Sequence, residues 1–281
     1  LRSSAMRPLR VLTINIWNRQ GPWENRLRLL QKGIAELDPD IVGLQEVIHR
    51  PSAPEVCQAG QIADAWARAG GPGEIHVGFG PAWTYENGDQ FGNAILSRYP
   101  LRDGRTFDLP TRDARAVVFA RVDTPAGPVP FFVTHRSWRF DEGSRREDQV
   151  LAIAGHVAEI KHRDDLPPIL VGDLNAAPDA TEIRFLRGLH ALDRKSVFFT
   201  DCFERAGSGP GYTFDPPNNP HAALTYEAPR RIDYVMVGGP DERGAGMPVS
   251  CRVVLDEIVG EGANRFAPSD HYGVFAEIRY A

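Results

Sequence analysis

Short apolar stretches, some alternating with polar residues and some unbroken, recur along the whole chain and predict many strands and few helices. Leu9-Arg-Val-Leu-Thr-Ile-Asn-Ile-Trp17 reads as a first strand. Leu9, Val11, Thr13, Asn15 and Trp17 share one of its faces, and Leu12, Ile14 and Ile16 the other. Leu27, Leu30, Ile34 and Leu37 then recur at helical spacing until Asp38-Pro39 stops the helix. Ile41-Val-Gly-Leu-Gln-Glu46-Val47 is a second apolar strand, and a helix between two such strands predicts a parallel crossover. Further strands are expected over 91–98, 116–122, 129–135, 169–175, 230–237 and 249–255, with a closing strand ending near 278. The turn Thr124-Pro-Ala-Gly-Pro makes 116–135 an antiparallel hairpin. Helices are expected over 62–69, 142–161 and 178–189. In the second of these Val150, Ala154, Val157 and Ala158 should face inward, and Arg145, Arg146 and Glu147 solvent. Residues 207–229, rich in Gly, Pro and Asn, form a long loop, a length that in a compact domain is often functional.

Polar residues interrupt this pattern where strands end. In Ile169-Leu-Val-Gly-Asp-Leu-Asn175 an apolar run closes on a carboxylate and an amide two positions apart, which an extended backbone presents to the same face. Asn15 lies within the first strand, and Glu46 ends the second; the crossover brings both to one sheet edge, where ligands collect. His135 ends the hairpin. Asp233 shares a strand face with Val235 and Val237, a costly place for a carboxylate unless it is paired. Ser269-Asp270-His271 stands at the start of the closing strand. Singly, each has an ordinary explanation: a satisfied amide, a surface histidine, a structural ion pair.

Taken in order, the stretches Thr13-Ile-Asn15-Ile-Trp, Leu44-Gln-Glu46-Val, Asn93-Ala-Ile-Leu-Ser-Arg, Thr134-His135, Gly172-Asp173-Leu-Asn175, Arg231-Ile-Asp233-Tyr and Ser269-Asp270-His271 resemble the endonuclease/exonuclease/phosphatase superfamily. The resemblance covers positions 11 to 278 and implies an α+β fold, a four-layer α/β/β/α sandwich of two mainly antiparallel sheets flanked by helices. It implies divalent-metal-dependent hydrolysis of a phosphoester bond, with Mg²⁺ or Mn²⁺ as cofactor. Glu46 would be the main metal ligand, with Asn15 and Asp270 close by. Asp173 and Asn175 would hold the attacking water and phosphoryl oxygens, His271 would act as general base or transition-state donor oriented by Asp233, and His135 would contact the phosphoryl oxygens or assist the leaving group. Asn93, Arg136 and Trp138 are the candidate substrate contacts; Arg136 departs from the usual His-Leu and would touch substrate or simply face solvent, and Trp138 would wall the site or serve as a packing residue.

Composition narrows this little. The 281 residues are 42% hydrophobic and 25% charged, ordinary for a globular chain, and no linker divides them, so residues 7–281 are expected to be one domain. Leu1 to Met6 reads as a tag remnant or disordered end. A net charge of -5 argues weakly against a general nucleic-acid binder without excluding local basic patches. Three unevenly spaced cysteines suggest no disulfide framework, which fits a reducing, cytoplasmic setting, and no apolar run approaches membrane-spanning length. A monomer is expected. His135 resembles the choice of the deoxyribonuclease, sphingomyelinase and inositol-polyphosphate 5-phosphatase branches, whereas apurinic-site nucleases carry Tyr there. The 5-phosphatase motifs, the paired cysteines of secreted deoxyribonucleases and the membrane hairpin of bacterial sphingomyelinases have no counterpart. The substrate therefore stays open between nucleic acid, lipid head group and small molecule. A catalytically silent binding protein on the same fold would have lost site residues, and none of those quoted is missing.

Overall fold

The structure, a computed structural model, describes residues 7–71, 73–111 and 114–280, so the reading of the first six residues lies outside it. In chain order come β1 (Leu9–Asn15), α1 (Trp23–Leu37), β2 (Ile41–His49), α2 (Gln58–Arg68), β3 (His76–Thr84), β4 (Gln90–Ser97), β5 (Leu101–Asp108), β6 (Ala116–Thr124) and β7 (Gly127–His135). There follow α3 (Gly143–Ile160), β8 (Ile169–Asp173), α4 (Thr181–Leu186), β9 (Phe199–Asp201), α5 (Cys202–Ala206), β10 (Asp233–Gly238), β11 (Met247–Val254) and β12 (Gly273–Arg279).

The strands form two six-stranded sheets with a common plan: β11-β12-β1-β2-β4-β3 and β5-β6-β7-β8-β10-β9. In each, the two central strands run parallel and are joined by a helix, β1-α1-β2 in one and β7-α3-β8 in the other, while the remaining neighbours are antiparallel. The sequence shows no repeat because only the alternation of buried positions is shared. Val11, Ile41, Ile95, Val118, Phe131, Val171, Val235 and Ala276 meet between the sheets. Leu12, Ile14, Leu30, Ile34, Ile62 and Trp66 pack α1 and α2 onto the first sheet. Phe132, Leu170, Tyr234 and Met236 receive Val150 and Ile153 of α3 with Ile183 and Phe185 of α4 on the second. The four-layer sandwich is thus the architecture found.

Differences from the sequence reading sit at the edges. β3 and β5 carry Gly, Pro and charge (Gly78, Gly80, Pro81; Arg102, Asp103, Arg105), devices that blunt an edge strand and also hide it from a pattern search. The expected 178–189 helix shrinks to α4. Arg146 faces inward rather than to solvent, its Nε 2.7 Å from Glu182 Oε1, and Ala158 is exposed instead.

One close approach fixes the site. Gly172 has φ +141°, and a Cβ there would lie 1.9 Å from the Thr134 carbonyl oxygen across the parallel β7–β8 pair. Gly172→Ala should destabilise the protein by about 3 kcal/mol or more, read as a lower urea midpoint at unchanged m-value.

Candidate active site

The two parallel pairs end at the same rim, which is why the strand-end polar residues meet. Asn15 pairs in register with Gln45, and His135 with Asp173, which is also opposite Asp233 of β10. A bulge between Leu44 and Val47, with Glu46 at φ +56°, takes Glu46 out of the ladder and turns its carboxylate into the cleft. Asn15 Nδ2 then bridges the sheets, donating to Glu46 Oε1 and to Asp173 Oδ2, each at 3.1 Å. Asn18 Nδ2 donates to the other Glu46 oxygen at 2.9 Å. In the turn before β12 the Ser269 hydroxyl lies 2.7 Å from the Asn15 carbonyl oxygen and 3.1 Å from Asp270 Oδ1.

Asp173 stands between two histidines in opposite states. His135 Nε2 is 3.3 Å from its Oδ2 and His271 Nε2 3.8 Å, while His271 Nδ1 is 2.9 Å from Asp233 Oδ2. Burial, helped by the charges of Arg115 and His271, holds His135 well below the ordinary histidine range, so it is neutral. Burial also opposes the His271 cation, but the carboxylates of Asp233, Asp173 and Asp270 outweigh it and raise His271 well above that range. Asp173 is pushed up to about 6 by burial, against the pull of His271. Groups driven apart in this way at one site can give and take protons near neutrality.

Residues 12–271 match the sequence pattern of the Endonuclease/Exonuclease/phosphatase family. The chain belongs to that family. Members of the endonuclease/exonuclease/phosphatase family are hydrolases that act on phosphoesters. Truncated Caenorhabditis elegans TDP2 superimposes with a TM-score of 0.74 at 19% identity, over 96% of this chain and 97% of that one. D. rerio TDP2 complexed with a single-strand DNA product gives 0.73 at 20%, over 96% and 98%. The mannosyl-6-phosphatase Bt3783 of Bacteroides thetaiotaomicron VPI-5482 gives 0.68 at 19%, over 96% and 99%. No curated protein matches the sequence.

The family's cleft here has a volume of about 360 Å³ and gathers Glu46, His135, Asp173, Asn175, Asp270 and His271, with Trp138 on its wall. Two expected substrate contacts lie elsewhere. Arg136 is fully buried, its guanidinium donating to the carbonyls of Arg146 and Leu174, while its own carbonyl accepts from Asn175 Nδ2 at 3.1 Å. Its carbonyl thus holds Asn175, and its side chain is not part of the cleft wall. Asn93 is buried with its amide donated to the Ala116 carbonyl at 3.0 Å and is not part of the cleft wall. Asn18, Phe91, Arg115, Phe214, Glu227 and Arg230, which carry no site signature in the sequence, also line the wall from loops and strand starts. Arg230 is paired with Glu227, and its guanidinium lies over the rings of Phe140 and Phe214, 4.7 and 5.6 Å from their centroids. Phe214 in turn stands 5.1 Å from the His271 ring.

Among the described residues of the cleft, two groups have donor chemistry for a cation. Ligand atoms of Asp173, Asp233 and His271 lie within 4.8 Å of one another, but His271 Nδ1 is already engaged by Asp233. Glu46 and Asp270 offer hard carboxylate oxygens at the open cleft, flanked by amides of Asn15 and Asn18. Burial and the nearby Glu46 charge, opposed by His271, push Asp270 up to about 7. Two repelling carboxylates with free lone pairs suit a hard divalent ion such as Mg²⁺ or Mn²⁺.

Proposed function

We propose that this enzyme hydrolyses a phosphodiester by in-line attack of water, with Glu46 as the main ligand of a Mg²⁺ or Mn²⁺ ion and Asn15 and Asp270 beside it. When bound, the ion supplies Lewis-acid polarisation and charge stabilisation at the phosphoryl group. Asp173, close to neutrality in its titration, takes the proton of the attacking water, and Asn175 holds that water in line. The His271 cation, oriented and stabilised by Asp233, donates from Nε2 to a non-bridging phosphoryl oxygen as charge builds there. Neutral His135 contributes a second hydrogen bond to the phosphoryl group. The observation that supports this reading most is the Asp233–His271 pair, joined at 2.9 Å, with the other ring nitrogen of His271 3.8 Å from Asp173. A panel of aryl phosphodiesters and phosphomonoesters with Mg²⁺, Mn²⁺ or chelator tests it. Diester hydrolysis that needs the metal is expected; hydrolysis indifferent to chelator would refute the reading.

A ring of exposed apolar side chains favours a base-bearing, single-stranded nucleic acid over a sugar phosphate. Trp138 lines the cleft, Phe140 lies against Arg230, Leu224 and Tyr226 flank Thr225 of the wall, and Trp83 pairs in register with Phe91 of the wall. Tyr226 is 87% exposed and Leu224 81%. Aromatic platforms between arginines are what single strands stack on, each base contributing about 1–3 kcal/mol. Tyr226→Ala and Trp138→Ala should each raise KM for a single-stranded oligonucleotide about tenfold or more and leave an aryl diester unaffected. Equal effects on both substrates would remove this specificity.

A further inference from the structure

We propose that Arg26 is a positioning residue for the cation site, strapping the turn after β1, which follows Asn15 and carries the Asn18 that holds Glu46, to the segment that carries Asp270. The side chain is fully buried on α1, yet among the described residues it donates to no carboxylate. Its donors all go to backbone carbonyls. Nη1 reaches Ile16 and Pro268 at 2.9 Å each, Nη2 reaches Trp17, Asn18 and Gln20 at 3.2, 3.0 and 2.8 Å, and Nε reaches Gln20 at 3.0 Å. The indoles of Trp17 and Trp23 lie against the guanidinium, with centroids 5.0 and 5.2 Å away.

These carbonyls belong to two places 250 residues apart in sequence but adjacent at the cleft. The first is the turn after β1, where Trp17 and Asn18 take left-handed backbone (φ +52° and +36°) and Asn18 donates to Glu46. The second is Pro268, which directly precedes Ser269 and Asp270. Left-handed residues persist only where their surroundings hold them, and here the guanidinium supplies the donors.

The choice of partners is informative. A buried guanidinium is ordinarily paired with a carboxylate. Burial lowers Arg26 to about 10, and the charges of Asp270 and Glu46 resist that through space. Anchoring on carbonyls thus sets a positive charge near both carboxylates without the guanidinium occupying their oxygens, whose remaining lone pairs can meet a divalent ion. Geometry and charge act on that ion with opposite signs: the strap assembles its ligands, and the charge repels it. Lysine keeps the charge and loses the fork of five donors, so Arg26→Lys isolates the geometric part.

The inference rests on the placement of the ion at Glu46 and Asp270 proposed above, and its test separates the two. Mn²⁺ is titrated into the metal-free protein by calorimetry, and the rise in melting temperature on adding Mn²⁺ is measured alongside. Glu46→Gln should abolish binding; if it does not, the placement fails. With that control met, Arg26→Lys should weaken Mn²⁺ binding at least tenfold, in the range seen when groups supporting a metal ligand are removed, and should shrink the melting rise. Arg26→Gln, which also relieves the repulsion, should lose less affinity than Arg26→Lys. If the lysine variant is too unstable to titrate, the glutamine variant decides by its own melting rise, which should fall below that of the wild type. A merely structural arginine predicts equal melting losses with and without Mn²⁺ and an unchanged Mn²⁺ affinity, and that result would overturn the proposal.

Discussion

Asp233→Asn should cut turnover by about 10³–10⁴ while the protein remains folded. The carboxylate is buried and faces His271 Nδ1 at 2.9 Å, and it is the leading attraction that keeps the ring charged against burial. An amide cannot stabilise the cation, and it can equally hold the wrong tautomer, leaving Nε2 without a proton to donate to the phosphoryl oxygen. The loss should therefore fall on kcat rather than KM, because the interaction strengthens only as charge builds in the transition state. A pH effect accompanies it in the metal-free protein. A histidine raised in the folded state contributes stability that is fully present below its unfolded value of about 6.5 and is lost as pH rises through the higher folded value. Asp233→Asn lowers the folded value, so unfolding free energy should decline less above about pH 6.5 than in the wild type. Urea denaturation across that range, with steady-state kinetics at fixed Mn²⁺, reads both. A variant with wild-type kcat would exclude His271 as a charged donor.

How far the sequence led depends on what kind of constraint each residue obeys. Asp173, Glu46 and Asp233 stood out because carboxylates ending or occupying apolar strands are expensive, and the structure brings them to one rim. The parallel crossovers that place them there follow from strand–helix–strand alternation, which the first sheet made plain. Edge strands β3 and β5 stayed hidden because their Pro, Gly and charges serve against aggregation rather than packing. Arg136 and Arg146 show a different limit. Next to a site or on an amphipathic helix, an arginine looks the same whether it faces solvent or, like Arg136 and Arg146, is tied to buried carbonyls or a buried carboxylate, and only the three-dimensional path of the chain decides. Arg26 is the extreme case. Its partners are backbone oxygens, which carry no signature in the sequence at all.

Glu46→Gln should remove at least about 10³-fold of the metal-dependent hydrolysis and should not weaken the metal-free fold. The carboxylate sits on a bulge with left-handed backbone, partly open to the cleft, receives the amides of Asn15 and Asn18, and lies close enough to Asp270 to help push that group up to about 7. Without a cation these two charges repel, and a neutral glutamine removes the repulsion while its side-chain oxygen can still accept one of the two amides. Melting temperature in chelator should accordingly hold steady or rise, the pattern expected where function is maintained against stability. Added Mn²⁺ should stabilise the wild type by mass action and leave the variant unchanged. The three readouts discriminate among causes. Activity lost together with the metal-free fold would make Glu46 a structural residue. Activity lost with the Mn²⁺ stabilisation intact would move the ion to the Asp173–Asp233–His271 group, whose ligand atoms are also close enough to hold one. Activity and Mn²⁺ stabilisation lost together, from a protein at least as stable as its parent, place the ion on Glu46.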